Sequence, residues 1–468
     1  MTTKKYKGVP YQLWNPYTPM DLYLSFLGVG PTVITRGEGH YVYNDKGERY
    51  INGNSGAWNC SIGFGREEII EAAIKQMREL PFSTCFGCAH PRAIELAAKL
   101  VKITSGNFAH VYLGSNGSEV VETSLKLARQ YHRQSLLAKD RKRFKIISLR
   151  GSYHGCAYGA TTLSGLERHE AKFGPMLPGV IPIDPPYCYR CPSQKDGYPE
   201  CGVECAKALE KTILAEGPES VAAFILEPVM GEMGVITPPE EYYRIVGETC
   251  QQYGVLLIAD EVTTGFGRTG ELFVSQKWNP QPDILLLGKA ISGGYFPVAA
   301  CLTTDAIFQR FLGNDNYFMH GTTNSGNPVG GAVSLAAIDI ILRENLPANA
   351  ARVGEYLKTH LTGLMENHPI IGEVRGRGLM IAIDLTKDRK TREPLTSDEI
   401  YNFLLSSFGH GILLSLSDYG LSLFPPLNID EAIADEIVTI MDKVFHTGKL
   451  ADLDRNLHLL KEFVRSKL

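Results

Sequence analysis

The sequence has little surplus charge and no long apolar run, and both absences exclude classes of protein. Its 47 Lys and Arg and 51 Asp and Glu leave a formal net charge of −4, with no basic block that would favour nucleic acid or an anionic membrane surface. No apolar stretch approaches the ~20 residues that span a bilayer. The opening residues, MTTKKYKGVPYQLW, lack the apolar core of a secretory signal. We therefore expect a soluble, cytoplasmic protein that acts on small molecules.

Cysteine is also scarce, since ten cysteines in 468 residues are too few for a disulfide scaffold and indicate a reducing compartment. Four of the ten nevertheless form the pairs Cys188-x-x-Cys191 and Cys201-x-x-x-Cys205. Four thiolates at this spacing could close a tetrahedral zinc site. The alternative is a surface loop of thiols without metal, and the sequence alone assigns no metal.

Short β-rich runs and helix-length segments alternate through most of the chain. From about residue 66, segments such as EEIIEAAIKQMREL separate the runs AHVYLG, FKIISL, VAAFILE, VLLIAD, DILLLGK and VAACLTT. This alternation predicts βαβ units and a mostly parallel sheet covered on both faces. We assign residues 66–334 to a large α/β domain. Residues 1–65, which contain a small antiparallel meander, and residues 335–468 would together form a smaller α+β domain.

Three of the apolar runs end in ionisable residues. VAAFILE ends at Glu227, VLLIADE ends at Asp260 and Glu261, and DILLLGK ends at Lys289. The carboxyl ends of parallel strands open onto the crevice where α/β sheets bind ligands, and right-handed crossovers place those ends at one edge. We therefore expect Lys289 and Asp260 to face the same cleft.

A lysine and a carboxylate in a dry cleft suit pyridoxal 5'-phosphate (PLP). A desolvated lysine can lose its proton and attack an aldehyde, and a nearby carboxylate can keep a pyridine nitrogen protonated. The alternative is that Lys289 and Asp260 form a plain ion pair, which is common in proteins.

Two further segments favour the cofactor. HVYLGSNGSEVVETSLKLARQYH reads as strand, turn and helix, and its turn at 115–118 would offer backbone N–H groups to a phosphate. FKIISLRGSYHG places Tyr153 and His154 after another strand, where Tyr153 could stack on a pyridine ring. The alternatives are an ordinary capped helix and an aromatic residue in a loop.

The glycines Gly265, Gly267 and Gly270 match the G-x-G-x-x-G pattern of a dinucleotide loop. That pattern requires a helix directly after the glycines and an acid about twenty residues on. Here the irregular ELFVSQKWNPQP follows, and Asp283, thirteen residues beyond Gly270, begins a strand. We therefore expect a tight loop beside the cleft, and a nicotinamide oxidoreductase is the weaker alternative.

Seven motifs form one ordered set: Asn116-Gly117-Ser118, Tyr153-His154-Gly155, EPVMGEMGV, ADEVTTGFGRTG, LLLGKAISGGYFPVA, HGTTNSGNPVG and VRGRGLM. The set resembles the class-III aminotransferases of PLP fold type I, and the resemblance extends from about residue 30 to residue 430. It implies transamination with PLP, in which an amino group passes from a donor to a keto acceptor. It also implies a homodimer.

The resemblance implies roles for individual residues. Lys289 would form the Schiff base with PLP and shuttle the proton, and Asp260 would pair with the pyridine nitrogen. Val262 and Tyr153 would pack on opposite faces of the ring. The other residues implied in cofactor binding line the phosphate cup or the cleft, with one reaching the phosphate from the neighbouring subunit: Asn116, Gly117, Ser118, His154, Glu227, Thr263 and, across the interface, Thr323.

On the substrate side, the chain lacks the arginines that often clamp a carboxylate through two oxygens. At three positions where related enzymes carry such an arginine, it has Cys156, Ser415 and Ser422. Glu232, which often pairs with that arginine, would then be an unpaired acid, and Trp58 would line the pocket. The alternatives are a solvated Glu232 and a core Trp58. We expect an amine or a distal amino group as donor and a keto acid such as pyruvate as acceptor.

Two other functions stay open at this point. A racemase, decarboxylase or lyase could use the same electron sink, because substrate orientation decides which bond breaks. A silent PLP-binding protein would also keep Lys289.

Overall fold

The computed structural model describes residues 5–447, apart from 19, 21–31, 105, 192–196 and 314. The strands of this part are β1 Lys5–Tyr6, β2 Val9–Pro10, β3 Ile34–Glu38, β4 Tyr41–Asn44, β5 Arg49–Ile51, β6 Phe108–Gly114, β7 Lys145–Leu149, β8 Val180–Ile183, β9 Val221–Leu226, β10 Leu256–Glu261, β11 Ile284–Leu287, β12 Ala299–Thr304, β13 Ile371–Arg377, β14 Met380–Asp388, β15 Glu393–Pro394, β16 Ser415–Ser417 and β17 Gly420–Leu423. The α-helices are α1 Ser55–Trp58, α2 Glu67–Glu79, α3 Pro91–Ile103, α4 Gly117–Arg133, α5 Tyr158–Leu163, α6 Glu167–Phe173, α7 Glu204–Glu216, α8 Glu240–Tyr253, α9 Asp305–Phe308, α10 Pro328–Arg343, α11 Leu346–Gly363, α12 Ser397–Gly409 and α13 Glu431–Thr447.

A seven-stranded sheet with the order β6-β12-β11-β10-β9-β7-β8 carries the core. Strands β8, β7, β9, β10 and β11 are parallel, and β12 is antiparallel to both β11 and β6. Every residue of β9, β10 and β11 is buried, as expected for parallel strands covered on both faces. The predicted α/β fold is therefore confirmed, with β8 as an additional strand that the sequence reading did not include.

Two helices that flank the sheet have end residues typical of helix caps: an asparagine at the start of α4 and a glycine at the end of α8. At the start of α4, the Asn116 side chain accepts a hydrogen bond from the backbone N–H of Glu119. At the end of α8, Gly254 adopts a left-handed conformation with φ of 63°, which glycine tolerates best. The end of α8 thus sets where the chain enters β10, the strand that carries Asp260.

Smaller sheets form at both ends of the chain. Strands β3, β4 and β5 make the antiparallel meander predicted for the N-terminal segment. In the C-terminal third, strands pair in the order β13-β14-β17-β16, with β15 beside β14. A bridge between Ile51 and Ile412 joins the two regions and supports a shared small domain. The domain limits at residues 65 and 334 stay a prediction.

Among the described residues, no helix combines the length and apolar character that crossing a membrane requires.

The packing of α11 on the β13–β14 turn yields a first prediction. A Cβ at Gly354 would lie 2.1 Å from the backbone oxygen of Gly378. We expect Gly354→Ala to lower the free energy of unfolding by about 1–3 kcal/mol, because the overpacked contact outweighs the helix preference of alanine. Chemical denaturation of the purified protein measures this change.

Gly363→Ala, at the exposed end of the same helix, is the matched control. No described atom lies within 4 Å of a Cβ there, so we expect no loss of stability, or a gain of up to about 1 kcal/mol. Equal stability of the two variants would contradict the packing argument.

Candidate active site

The carboxyl ends of the adjacent parallel strands β9, β10 and β11 bring Glu227, Asp260 and Lys289 to one cleft. Burial lowers the pKa of Lys289 to about 8, although the charges of Glu227, Asp260 and Glu232 act in the opposite direction. A large fraction of the lysine amine is therefore neutral near pH 8, and a neutral amine is a nucleophile.

Lys289 has an unusual backbone conformation, with a φ of 43°. A positive φ costs a non-glycine residue about 1–3 kcal/mol, and such residues often occur at functional sites. The Lys289 Nζ donates a 2.6 Å hydrogen bond to Thr263 Oγ1. It also lies 4.7 Å from the ring centroid of Trp58. The strained turn therefore directs the amine between a hydroxyl and an aromatic face.

Asp260 is buried and oriented from two directions. Its Oδ2 lies 2.7 Å from Nδ1 of His154, and its Oδ1 accepts a 3.0 Å hydrogen bond from the Val262 backbone N–H. The His154 side chain is buried too, and its Nε2 has no hydrogen-bond partner among the described residues. His154 therefore holds the carboxylate in place, a role that resemblance alone did not specify.

Glu227 connects the end of β9 to two neighbouring loops. Its Oε1 and Oε2 accept hydrogen bonds of 2.9 Å from the Tyr153 N–H and 3.1 Å from the Gly231 N–H. Burial, with a contribution from Asp260, raises the pKa of Glu227 to about 7. Glu227 thus positions the backbone of Tyr153 at the edge of the cleft.

Two glycines surround the side chain of Val262. A Cβ at Gly117 or at Gly288 would lie 3.0 Å or 3.1 Å from Val262 Cγ1. Real Cβ atoms seldom come so close, so glycine at both positions lets the helix start and the lysine turn approach Val262. Val262, the start of α4 and Lys289 therefore belong to one compact site.

The start of α4 has the geometry of an anion site. The amides of Gly117 and Ser118 lie in the first helical turn, where N–H groups lack intrahelical acceptors. The Asn116 Oδ1 accepts a 3.0 Å hydrogen bond from the Glu119 N–H and so caps the helix. Ser118 Oγ accepts a 3.0 Å hydrogen bond from the Cys156 N–H. Cys156 therefore lies beside this turn.

A polar network that sequence reasoning missed ties this turn to the loop before α10. Glu119 Oε1 accepts hydrogen bonds of 3.1 Å from Tyr112 Oη and 2.9 Å from Thr322 Oγ1. Its Oε2 accepts a 2.8 Å hydrogen bond from the Ser115 N–H. The pattern Asn116-x-x-Glu119, typical of a capping box, was the available signal. Here the glutamate holds the loop that carries Thr323.

On the substrate side, Trp58 is packed between two regions of the chain. Its ring stacks on Phe424 at 4.2 Å and 15°, and its Nε1 donates a 2.9 Å hydrogen bond to Ser415 Oγ. Trp58 and Ser415 therefore lie with Lys289. Ser422 is fully buried inside the sheet, and its Oγ has no partner in the described part of the chain.

Glu232 is a partly buried acid of the same cleft. Burial raises the pKa of Glu232, with Asp418 adding to the rise and Lys289 and Arg168 opposing it. The carboxylate of Glu232 therefore interacts electrostatically with both the Asp418 carboxylate and the Lys289 amine.

Two further predicted groups have other surroundings in the single chain. Thr323 is exposed in the loop before α10. Cys188, Cys191, Cys201 and Cys205 line a separate pocket between β8 and α7.

The glycine-rich loop after β10 turns tightly and packs against α11. Gly267 and Gly270 have φ values of 102° and 90°. A Cβ at Gly270 would lie 2.9 Å from the Cβ of Ala351 in α11. Irregular chain and a short 3₁₀ turn follow instead of an α-helix, so the loop does not match the dinucleotide pattern.

Arg268 of this loop was not predicted as part of the structure around the site. It is only 1% exposed and donates hydrogen bonds to the backbone oxygens of Leu379 and Pro425. Burial lowers its pKa to about 9. The residue therefore joins the loop to the sheet that carries Ser422.

Comparison with known proteins agrees with this geometry. Residues 28–445 match the family model of aminotransferase class-III. The putrescine–pyruvate aminotransferase of Pseudomonas aeruginosa is 37% identical, over 88% of this chain and 90% of that protein. The adenosylmethionine-8-amino-7-oxononanoate aminotransferase of Geobacter sulfurreducens is 36% identical, over 93% of this chain and 96% of that protein.

Two solved structures have the same fold. An (S)-enantioselective omega-transaminase of Thermomicrobium roseum has a TM-score of 0.88 and 38% identity, covering 94% of this chain and 96% of that one. A PLP-bound amine transaminase of an uncultivated Pseudomonas species has a TM-score of 0.89 and 37% identity, covering 94% of this chain and 99% of that one.

The chain belongs to the class-III aminotransferase family, with PLP fold type I. It is a PLP-dependent enzyme of transamination, and these relatives do not support the racemase, decarboxylase, lyase or oxidoreductase alternatives.

The residues at the cleft suit the cofactor. The lysine amine with its lowered pKa suits the aldehyde of PLP, and the carboxylate held by His154 suits the pyridine nitrogen. Val262, with glycines on two sides, suits the ring, and the N-terminus of α4 suits the phosphate.

The role of Lys289 can be tested by Lys289→Ala. We expect the variant to lose the visible absorption of covalently attached PLP, because among the cleft residues described above Lys289 carries the one amine. We also expect transamination to slow by at least about 10²-fold, the lower end of what a positioned proton-transfer group supplies. Absorption spectra and steady-state kinetics measure both.

Lys277→Ala is the control, since that lysine is exposed and paired with Glu271. It should keep the spectrum and the rate. An unchanged spectrum in Lys289→Ala would refute the assignment of this lysine.

Proposed function

We propose that the enzyme takes an amino group from a primary amine, above all one with a second, distal cationic group, and passes it to a keto acid such as pyruvate. The observation that carries this proposal is the placement of Glu232, whose carboxylate interacts electrostatically with both Lys289 and a second acid, Asp418. The pyruvate-using relative, putrescine–pyruvate aminotransferase, supports it by analogy.

In this proposal the residues at the strand ends hold PLP, which supplies an aldehyde for the substrate amine and a ring that accepts the electron pair. Lys289 Nζ takes the proton from the substrate carbon and returns it, for which its pKa of about 8 is well placed. Asp260 pairs with the protonated pyridine nitrogen, and Val262 and Tyr153 cover the ring. The amides of Asn116, Gly117 and Ser118 bind the phosphate, and Thr263 lies within hydrogen-bond distance of Lys289 Nζ.

The charges around the substrate pocket favour a cationic group. A partly buried carboxylate next to a second one is stabilised when a cation binds between or beside them. The nearby guanidinium of Arg168 is already in a 3.0 Å ion pair with Asp418. Cys156, Ser415 and Ser422 offer no positive charge to a distal carboxylate. The pocket therefore selects against 4-aminobutyrate and ornithine bound through a carboxylate clamp.

Glu232→Gln tests this selection. We expect kcat/KM for a 1,4- or 1,5-diamine with pyruvate to fall by about 10–100-fold, because a charge-assisted hydrogen bond contributes about 1.5–3 kcal/mol. For a monoamine of equal length, kcat/KM should change little. Product amine and alanine formation measure both rates.

The exposed Glu248, which pairs with Arg244 on α8, provides the control variant Glu248→Gln. Equal losses with diamine and monoamine would contradict a role of Glu232 in binding the distal cation. A wild-type preference for 4-aminobutyrate or ornithine with 2-oxoglutarate would refute the donor class.

We also propose that the enzyme is a cytoplasmic homodimer in which Thr323 of the partner subunit reaches the phosphate. The exposure of Thr323 in the single chain supports this arrangement, since a phosphate ligand exposed on its own subunit can serve the neighbour's site. The Glu119–Thr322 hydrogen bond would then couple the anion turn of one subunit to the loop that serves the other.

Hybrid dimers test the shared site. Lys289→Ala and Thr323→Asp subunits, each inactive as homodimers, would form a heterodimer with one intact site. We expect about half the wild-type activity from it, because a two-fold dimer has two equivalent sites. Differently tagged, co-purified heterodimers and their kinetics provide the measurement.

If Thr323 acts within its own chain, the heterodimer recovers no activity. The subunit that keeps Lys289 then carries Thr323→Asp, so neither subunit has both residues. A monomer in sedimentation analysis would also contradict the proposal.

A further inference from the structure

The segment from the end of β8 to the first turn of α7 carries four of the ten cysteines, and none of them is among the cleft residues described above. Four cysteines line a single pocket there together with Tyr187, Tyr198, Glu204 and several prolines: Cys188, Cys191, Cys201 and Cys205. All ten cysteines belong to the described part of the chain, and none is in a disulfide. The segment therefore gathers four thiols without joining them covalently.

The sulfurs are close enough to act on one another. Cys188, Cys191 and Cys201 all contribute to the electrostatic environment of Cys205. Cys188 in turn is influenced by Cys201 and Cys191. Two sequence pairs, separated by nine residues, therefore converge on one place in three dimensions.

We propose that this segment binds a metal centre through four thiolates, those of Cys188, Cys191, Cys201 and Cys205. Soft thiolate ligands select zinc or iron–sulfur clusters among the common biological metals. Spacings of two and three residues between paired cysteines are typical of such sites. One metal centre would satisfy all four sulfurs at once.

The surrounding structure holds the ligand segment from two sides. Tyr187 Oη donates a 2.5 Å hydrogen bond to Asp384 of β14, and Arg190 forms an ion pair with the same carboxylate. On the other side, Tyr198 Oη donates to the carboxylate of Glu241 in α8 at 2.8 Å. A metal centre would fix the cysteine-containing segment in its position between β14 and α8. We therefore assign a structural role to the metal centre.

The spacing of the sulfurs bears on the kind of metal. Around a single zinc ion with Zn–S bonds of about 2.3 Å, tetrahedral geometry places the sulfurs about 3.8 Å apart. Among these described residues, no three sulfurs lie within 4.8 Å of one another. The sulfurs are therefore not drawn together as tightly as around a bound zinc ion, and four cysteines can ligate either a zinc ion or an iron–sulfur cluster.

The test is metal analysis of the full-length holoenzyme, expressed with both zinc and iron in the medium and purified without oxygen or chelators. Elemental analysis, acid-labile sulfide, and visible and electron paramagnetic resonance spectra distinguish the metals. About one zinc per chain without sulfide, or about four iron with four sulfide, would each support the four-thiolate site and identify its occupant. Full occupancy corresponds to the metal contents just given, so less than about 0.1 metal ion per chain would overturn the proposal.

Variants link the metal to these ligands. Cys188→Ser and Cys201→Ser, one from each pair, should lose the metal and melt at a lower temperature. Cys88→Ser, at an exposed cysteine outside the segment, should retain the metal. Metal retained at the wild-type level in both ligand variants would overturn the proposal.

X-ray absorption of the wild-type protein keeps the test decisive if the ligand variants fail to fold. A first shell of sulfur at about 2.3 Å supports thiolate ligation. A shell of nitrogen or oxygen alone would overturn it.

Discussion

The structure depends on keeping one lysine amine among carboxylates in a cleft that is largely closed to water. Removing these charges from water is costly unless each finds compensation. Lys289 is compensated by Glu227, Asp260 and Glu232, and its remaining preference for the neutral form lowers its pKa. The strands β9, β10 and β11 make this possible because they are parallel neighbours, so their ends meet at one edge.

The pair Asp260-Glu261 shows how one strand end serves both chemistry and structure. Successive side chains of a strand point to opposite faces of the sheet. Asp260 therefore reaches the cleft and His154, whereas Glu261 accepts hydrogen bonds from Thr264 Oγ1, Val274 N–H, Ser275 N–H and Ser275 Oγ. The second acid holds the loop that follows the strand. Of two adjacent carboxylates, Asp260 thus faces Lys289 and Glu261 holds the loop beside the cleft.

Selectivity depends on loops that come from distant parts of the chain. Trp58 and Ser415 are 357 residues apart, yet they share a hydrogen bond beside Lys289. The residues that suit PLP lie at the strand ends, which the fold class brings together. Under the proposed function, the choice of amine depends on how Glu232, Asp418 and Trp58 are brought together.

Local sequence patterns predict the sheet, its six main strands, the ionisable residues at their ends and the turn at 115–118 before α4. These features are local, because strand length, glycine spacing and helix capping act over a few residues. Only the tertiary structure decided that His154 orients Asp260, that Glu119 holds the loop of Thr322, and that Ser422 is enclosed in a sheet. It also decided that four cysteines converge on one pocket. Such contacts join segments far apart in the chain, and packing alone selects which side chains meet.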